Sequence, residues 1–177
     1  MSKLYKVVVT GVFNAGKTTF VNTLSEIEPV NTDKATRNRA EKQIKPTTTV
    51  ALDYGKVRIN QSSVIHLFGT PGQDRFDFMR DILAEDMHGF IFLIDSTDRR
   101  SLGQATELLA AFKRRSQAPY LLAANKADCQ ALSSEEIRTA LRLPTQQPIV
   151  PCVATDKASA RTVVERLISM IEANGTH

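Results

Sequence analysis

The sequence predicts an α/β fold in three layers: a mostly parallel six-stranded sheet with one antiparallel edge strand, covered by helices on both faces. Three observations carry this expectation. Short apolar runs alternate with stretches whose apolar residues recur at helical spacing. Two of the runs are separated only by Asn60-Gln61, a hairpin signal that turns one strand against the others. A glycine-rich turn joins the first strand directly to the first helix, and in such folds ligands sit at the carboxyl ends of the strands. At 177 residues the chain has room for one domain, 1–177, with a sizeable core.

The elements follow in order. LYKVVVT (4–10) is a buried strand. Residues 17–27 place Phe20, Val21, Leu24 and Ile27 on one helical face. Residues 28–48 are polar, contain Pro29 and Pro46, and form a long loop of the kind that usually serves function. VALDYGKVRI (50–59) and SSVIHLF (62–68) form the hairpin, and GFIFLID (89–95) is the next buried strand. Ser101 and Gln104 have capping-box spacing for a helix to about Arg115. YLLAAN (120–125) is a strand, Ser133 and Glu136 cap a short helix ending before Pro144, and PIVPCVA (148–154) is the last strand. Asp156 caps a final helix carrying Val163, Val164, Leu167, Ile168 and Ile171 and closing at Asn174-Gly175.

Composition narrows the function classes. With 42% hydrophobic and 24% charged residues the chain reads as a globular protein rather than a disordered one. No apolar run reaches the roughly 20 residues that span a bilayer. The first residues do not resemble a signal peptide, and neither a myristoylation Gly nor a prenylation Cys is present, so no membrane anchor and a cytoplasmic location are expected. Cys129 and Cys152 lack metal-site spacing and suit reduced thiols. Net charge is +4, with residues 31–45 carrying five Lys or Arg against two acids. A solvated loop explains that stretch, and nucleic acid is not an expected partner.

The residues that carry chemistry lie after strands. GVFNAGKT (11–18) fits G-x-x-x-x-G-K-[ST] between a strand and a helix, the setting of a phosphate-binding loop. Backbone N–H groups of Asn14, Ala15, Gly16, Lys17, Thr18 and Thr19 would surround phosphates at the helix's positive end. Lys17 would reach the outer phosphates and the Thr18 hydroxyl would bind Mg²⁺. NKAD (125–128) selects the base. The Asp128 carboxylate can accept from the ring N–H and the exocyclic amine of guanine, a donor pair that adenine lacks. Asn125 can tie this loop to the phosphate loop, and the Lys126 stem can cover a base face.

With GVFNAGKT, TTTVALDYG (47–55), GTPGQ (69–73), NKAD and CVAT (152–155) in this order, nearly the whole chain resembles a small Ras-like P-loop GTPase. The resemblance implies a G domain that binds GTP or GDP with Mg²⁺. It assigns Thr49, with Thr48 as the adjacent alternative, as a second metal ligand. Gly72 becomes the γ-phosphate sensor and Gln73 the residue that orients the attacking water. Lys17 joins Gln73 as catalytic. The Ala154 N–H would meet the guanine carbonyl oxygen, with Thr155 beside it.

Four positions depart from the family. Gly69 stands where an Asp supports Mg²⁺, a loss that commonly costs about 10- to 100-fold in affinity or activity, and a Gly69→Asp that lowered the Mg²⁺ requirement would mark a working GTPase with a trimmed metal shell. Phe13 replaces a small residue beside the γ-phosphate, and either crowds Gln73 or packs against a switch loop. Thr155 replaces a Lys whose stem often covers the second base face. Pro71 stiffens the turn before Gly72. A strand ending without Asp and followed by T-P-G-Q resembles the bacterial gliding-motility (Mgl-type) GTPases, which implies a Roadblock-type partner at 28–48 and 69–80. Arg37, Arg39 and Arg75 are candidate arginine fingers in cis. The resulting expectation is a slow GTPase switch accelerated by a partner; the alternative is a GTP/GDP-binding scaffold with little hydrolysis.

Overall fold

Val7, Val8 and Val9 are fully buried from both sides, which is why strand β1 (Lys3–Gly11) runs through the middle of the sheet. The structure, a computed structural model, describes residues 2–28, 30–31, 52–71 and 77–175. The remaining strands are β2 (Val30–Asn31), β3 (Asp53–Asn60), β4 (Ser63–Gly69), β5 (Gly89–Asp95), β6 (Tyr120–Asn125) and β7 (Ile149–Pro151). The helices are α1 (Lys17–Leu24), α2 (Asp77–Ala84), α3 (Ser101–Arg115), α4 (Ser134–Ala140) and α5 (Lys157–Asn174).

The sheet order is β2-β3-β4-β1-β5-β6-β7. Strands β4, β1, β5, β6 and β7 run parallel, and β3 pairs antiparallel with β4. The six expected strands are all present. A two-residue strand, β2, adds a seventh at the edge by pairing Val30 with Tyr54 and Asn31 with Asp53. Helices α1 and α5 touch each other, while α2 contacts α3 and α3 contacts α4, so the helices form two groups on the two faces. Between them Phe90, Phe92 and Phe112 are fully buried, with the Phe90 and Phe112 rings 4.7 Å apart edge to face.

Local chemistry explains most boundaries. Ser133 accepts from the Glu136 N–H at 3.2 Å while Glu136 accepts from the Ser133 N–H at 2.8 Å, the expected capping box. Asp156 caps α5 by accepting from Ala158 N. At α3 the expected box is not formed. Ser101 is already helical, its hydroxyl donates to the Asp98 carbonyl, and the N-cap position falls to Arg100. Asp98 instead accepts from the Arg100 N–H in a tight turn, which captures the chain one residue early. Helix α1 stops at Leu24 rather than Ile27, where Ser25 turns extended. At the other end of the β3–β4 hairpin, the Arg161 guanidinium from α5 donates to the carbonyls of Arg58 and Ile59.

Candidate functional site

The phosphate loop is shaped by positions that only certain residues tolerate. Gly16 has φ +100°, and a Cβ there would lie 2.4 Å from Asn125 Nδ2. Gly11 has φ +146°, and a Cβ would lie 2.2 Å from the Leu93 carbonyl oxygen. Asn14 takes a left-handed φ of 61°, which Asn accepts more readily than most residues. The backbone thus curls tightly between β1 and α1, with the Phe20 N–H already bonded to Gly16 O at 2.9 Å.

Lys17 is 7% exposed and donates to the carbonyls of Gly11 (2.8 Å) and Val12 (2.7 Å), spanning its own loop. Burial lowers its pKa to about 8, the nearby Arg80 charge adds to that, and Asp53 opposes both. Arg80, 4% exposed on α2, donates to the Pro71 carbonyl at 3.5 Å and is a cation near the phosphate loop that sequence pattern alone did not single out. Thr70 secures the same turn through Val9 O (2.9 Å) and the Thr10 hydroxyl (3.0 Å).

Next to Lys17, the Thr18 hydroxyl donates to Asp53 Oδ2 at 2.6 Å. Asp53 pairs directly with Gly69 across β3 and β4. A Cβ on Gly69 would come within 2.9 Å of Asp53 Cβ and 3.2 Å of its Oδ2. A carboxylate therefore does stand beside Thr18, delivered by the neighbouring antiparallel strand, and Gly69 is the residue that leaves it room. A second side chain at Gly69 meets the Asp53 stem rather than filling a gap. A hydroxyl and a carboxylate oxygen this close suit a hard divalent cation such as Mg²⁺. No cluster of three His, Cys, Asp or Glu offers another cation site among the described residues.

The base end is organised by Asn125, 4% exposed at the close of β6. Its Nδ2 donates to Ala15 O at 2.9 Å, and its Oδ1 accepts from Ala154 N at 2.8 Å. One side chain thus ties the phosphate loop, the 125–128 loop and the 152–155 loop together. The Ala154 N–H, expected from sequence to meet the guanine carbonyl oxygen, is buried and spent on Asn125. Ala127 N bonds Cys152 O at 3.1 Å, locking the two base loops further. Asp128 and Thr155 are exposed at the rim, as are Asn14, Thr18 and Thr19. Lys126, with φ 62°, turns back to pair with Asp95 at the end of β5.

Thr48, Thr49, Gly72, Gln73 and the candidate fingers Arg37, Arg39 and Arg75 lie outside the described residues, as does most of 28–48. Phe13 is 63% exposed, so it does not pack into the described core. His66 is a strand residue whose Nδ1 meets the Tyr54 hydroxyl at 2.7 Å, and His88 Nδ1 accepts from Lys6 N at 2.9 Å, which accounts for both without catalysis. No described helix is long and apolar enough to cross a membrane.

Comparison with known proteins agrees with this geometry. The model of the ADP-ribosylation factor family matches residues 1–171. ADP-ribosylation factor-related protein 1 of Bos taurus is 33% identical over 140 residues, covering 77% of this chain and 66% of that protein, so the match spans about two thirds of the relative's length. An uncharacterized protein of Methanocaldococcus jannaschii is 31% identical over 133 residues, covering 75% of this chain and 76% of its own. Among solved structures, the Arl6 BBS3 small GTPase from Trypanosoma brucei, with a bound GppNp analogue, superposes with a TM-score of 0.72 at 20% identity, over 97% of this chain and 99% of that one.

Proposed function

The chain belongs to the ADP-ribosylation factor family of small GTPases, and on that footing we propose that it is a slow, Mg²⁺-dependent GTPase switch whose carboxylate support for the metal comes from Asp53. GTP binding follows from the family; the rate, the metal and the residue roles are the proposal. The observation that supports it is the double hold of Asn125 on Ala15 and Ala154, which joins the phosphate loop to the loop that carries Asp128, the proposed reader of guanine.

In this reading the loop N–H groups of residues 14–19 hold the phosphates, and Lys17 leaves its two carbonyls to meet the outer ones. Thr18 and Asp53 would hold Mg²⁺, with Thr49 as a further ligand. When bound, the ion neutralises charge on the β- and γ-phosphates. Gly72 senses the terminal phosphate and Gln73 orients the water. Loss of that phosphate would change the shape of residues 28–48 and 69–80, the kind of change by which such switches signal. Phe78 and Ile82, exposed at 52% and 54% one turn apart on α2, support a protein partner docking there. A Roadblock-type partner and kinship with the gliding-motility GTPases are a finer form of this proposal, supported by Gly69 followed by T-P-G-Q.

The test is single-turnover phosphate release from bound GTP with saturating Mg²⁺. Release that Gln73→Ala abolishes supports the proposal. Tight GTP binding with no release, alone or with a partner, leaves a nucleotide-holding scaffold instead.

A further inference from the structure

Asp95 closes β5, is 8% exposed, and pairs across the sheet with Asn125, the first residue of NKAD. Its two oxygens are used differently. Oδ1 is taken by the next turn, accepting from Thr97 N at 3.0 Å and the Thr97 hydroxyl at 2.6 Å. Oδ2 meets the Lys126 ammonium. Burial alone would push the Asp95 carboxyl up, yet hydrogen bonds from Lys126 and Thr97 outweigh it and hold the carboxyl below its ordinary range, so Asp95 stays charged near neutral pH.

Lys126 makes this contact from a left-handed backbone, φ 62°. Within 125–128 and 152–155 it carries the one long alkyl stem, since Thr155 is short and exposed. Of these two loops, it is Lys126 that offers a long stem to a base face. Whether the stem is already in place then matters more than it would with a second Lys opposite. A free lysine side chain loses several rotatable bonds of freedom when it settles on a ligand; one tethered at its tip has lost them beforehand.

We propose that Asp95 is a positioning residue of the nucleotide site: by anchoring the Lys126 ammonium it pre-orders the stem against the guanine face and so sets how long the nucleotide stays bound. The inference rests on the guanine-nucleotide function proposed above and adds a residue outside the motifs that define it.

The experiment is release of a fluorescent GDP, and of a fluorescent non-hydrolysable GTP analogue, from wild type, Asp95→Asn, Lys126→Met and the double variant at saturating Mg²⁺. Asp95→Asn should release both nucleotides about 10-fold faster and by the same factor, because the anchor acts on the base end. The double variant should match Lys126→Met, since a residue acting through Lys126 adds nothing once that side chain is gone. A merely structural role would multiply the two effects instead. Release within twofold of wild type in Asp95→Asn, or multiplicative effects in the double variant, would overturn the proposal. Should Asp95→Asn melt below the assay temperature, Asp95→Ser, which also leaves a small polar side chain beside Thr97, carries the same expectations. Wild type that retains no guanine nucleotide would sink the functional reading together with this inference; wild type that retains it normally, with Asp95→Asn unchanged, sinks the inference alone.

Discussion

Thr18 and Asp53 are joined by a 2.6 Å hydrogen bond from hydroxyl to carboxylate, linking the start of α1 to the antiparallel hairpin at the point where a divalent cation would sit. The carboxylate missing from the end of β4 is thus present one strand over.

Asp53→Asn should therefore weaken Mg²⁺-dependent nucleotide retention by about 10- to 100-fold while leaving Mg²⁺-free binding nearly unchanged. Gly69→Asp should not rescue it. The added side chain meets Asp53 Cβ within 2.9 Å, so a loss of about 1–3 kcal/mol in stability is expected. A magnesium titration of GDP release, with a melting curve for each variant, checks both. A stable Gly69→Asp with tighter Mg²⁺ binding would contradict the steric account.

Asp128→Asn should lower GDP affinity by about 3 kcal/mol, roughly a hundredfold, because charge-assisted acceptance of two guanine donors is lost. The same change should favour xanthosine diphosphate, whose C2 oxygen can accept from the new amide. Competition binding between the two nucleotides reads the inversion, and equal losses for both would argue that Asp128 does not touch the base.

Lys17 gives a pH signature of two signs. Its pKa of about 8 lies below the ordinary lysine value of 10.5, so the buried charge destabilises the fold below pH 8. Stability should rise as pH goes from about 8 toward 10.5, where the unfolded chain binds more protons. Anion affinity should move the other way, falling once Lys17 begins to lose its proton. Melting of nucleotide-free protein and GDP affinity in EDTA, measured between pH 7 and about 9, test this. Lys17→Met should remove the stability trend, and its persistence in that variant would assign the trend elsewhere.

The two cysteines should separate cleanly. Cys129 is exposed, whereas Cys152 is 1% exposed and burial pushes its thiol up to about 11. One equivalent of alkylating reagent should add to Cys129 at neutral pH, with Cys152 reacting only on unfolding. Peptide mass spectrometry decides it, and early labelling at Cys152 would show that β7 opens in the native state.

Much of this molecule was legible beforehand because its chemistry is local. The phosphate loop is a contiguous string, and its glycines are required by contacts as close as Gly16 against Asn125. The capping box at Ser133 needs only residues within one turn. What escaped depends on pairing at a distance. A two-residue loop at Asn60-Gln61 would set Gly69 opposite Leu52, but the turn falls at Gln61-Ser62, with Asn60 opposite Ser63, and a bulge between Arg58 and Asn60 takes back one of the two positions gained, so that Asp53 stands opposite instead. One residue of slip turned a missing carboxylate into a displaced one. Asp95 and Arg80 escaped for a similar reason: each acts on a loop far from it in sequence. The Ser101 box failed because Asp98 offered a competing turn three residues earlier.

Delivery of the carboxylate from β3 also changes what must come apart for the metal to leave. Strand β4 lies inside the sheet between β3 and β1, whereas among the described residues β3 is bounded on its outer side by the two residues of β2. Local opening draws on such margins at far less free energy than global unfolding. A Mg²⁺ ion held there by Asp53 would accordingly be gripped with the durability of a hairpin rather than of the core. Amide hydrogen exchange should find Asp53 and Tyr54 exchanging well before Val8 and Ile91, and metal loss on warming should follow the first pair, preceding the melting of the sheet.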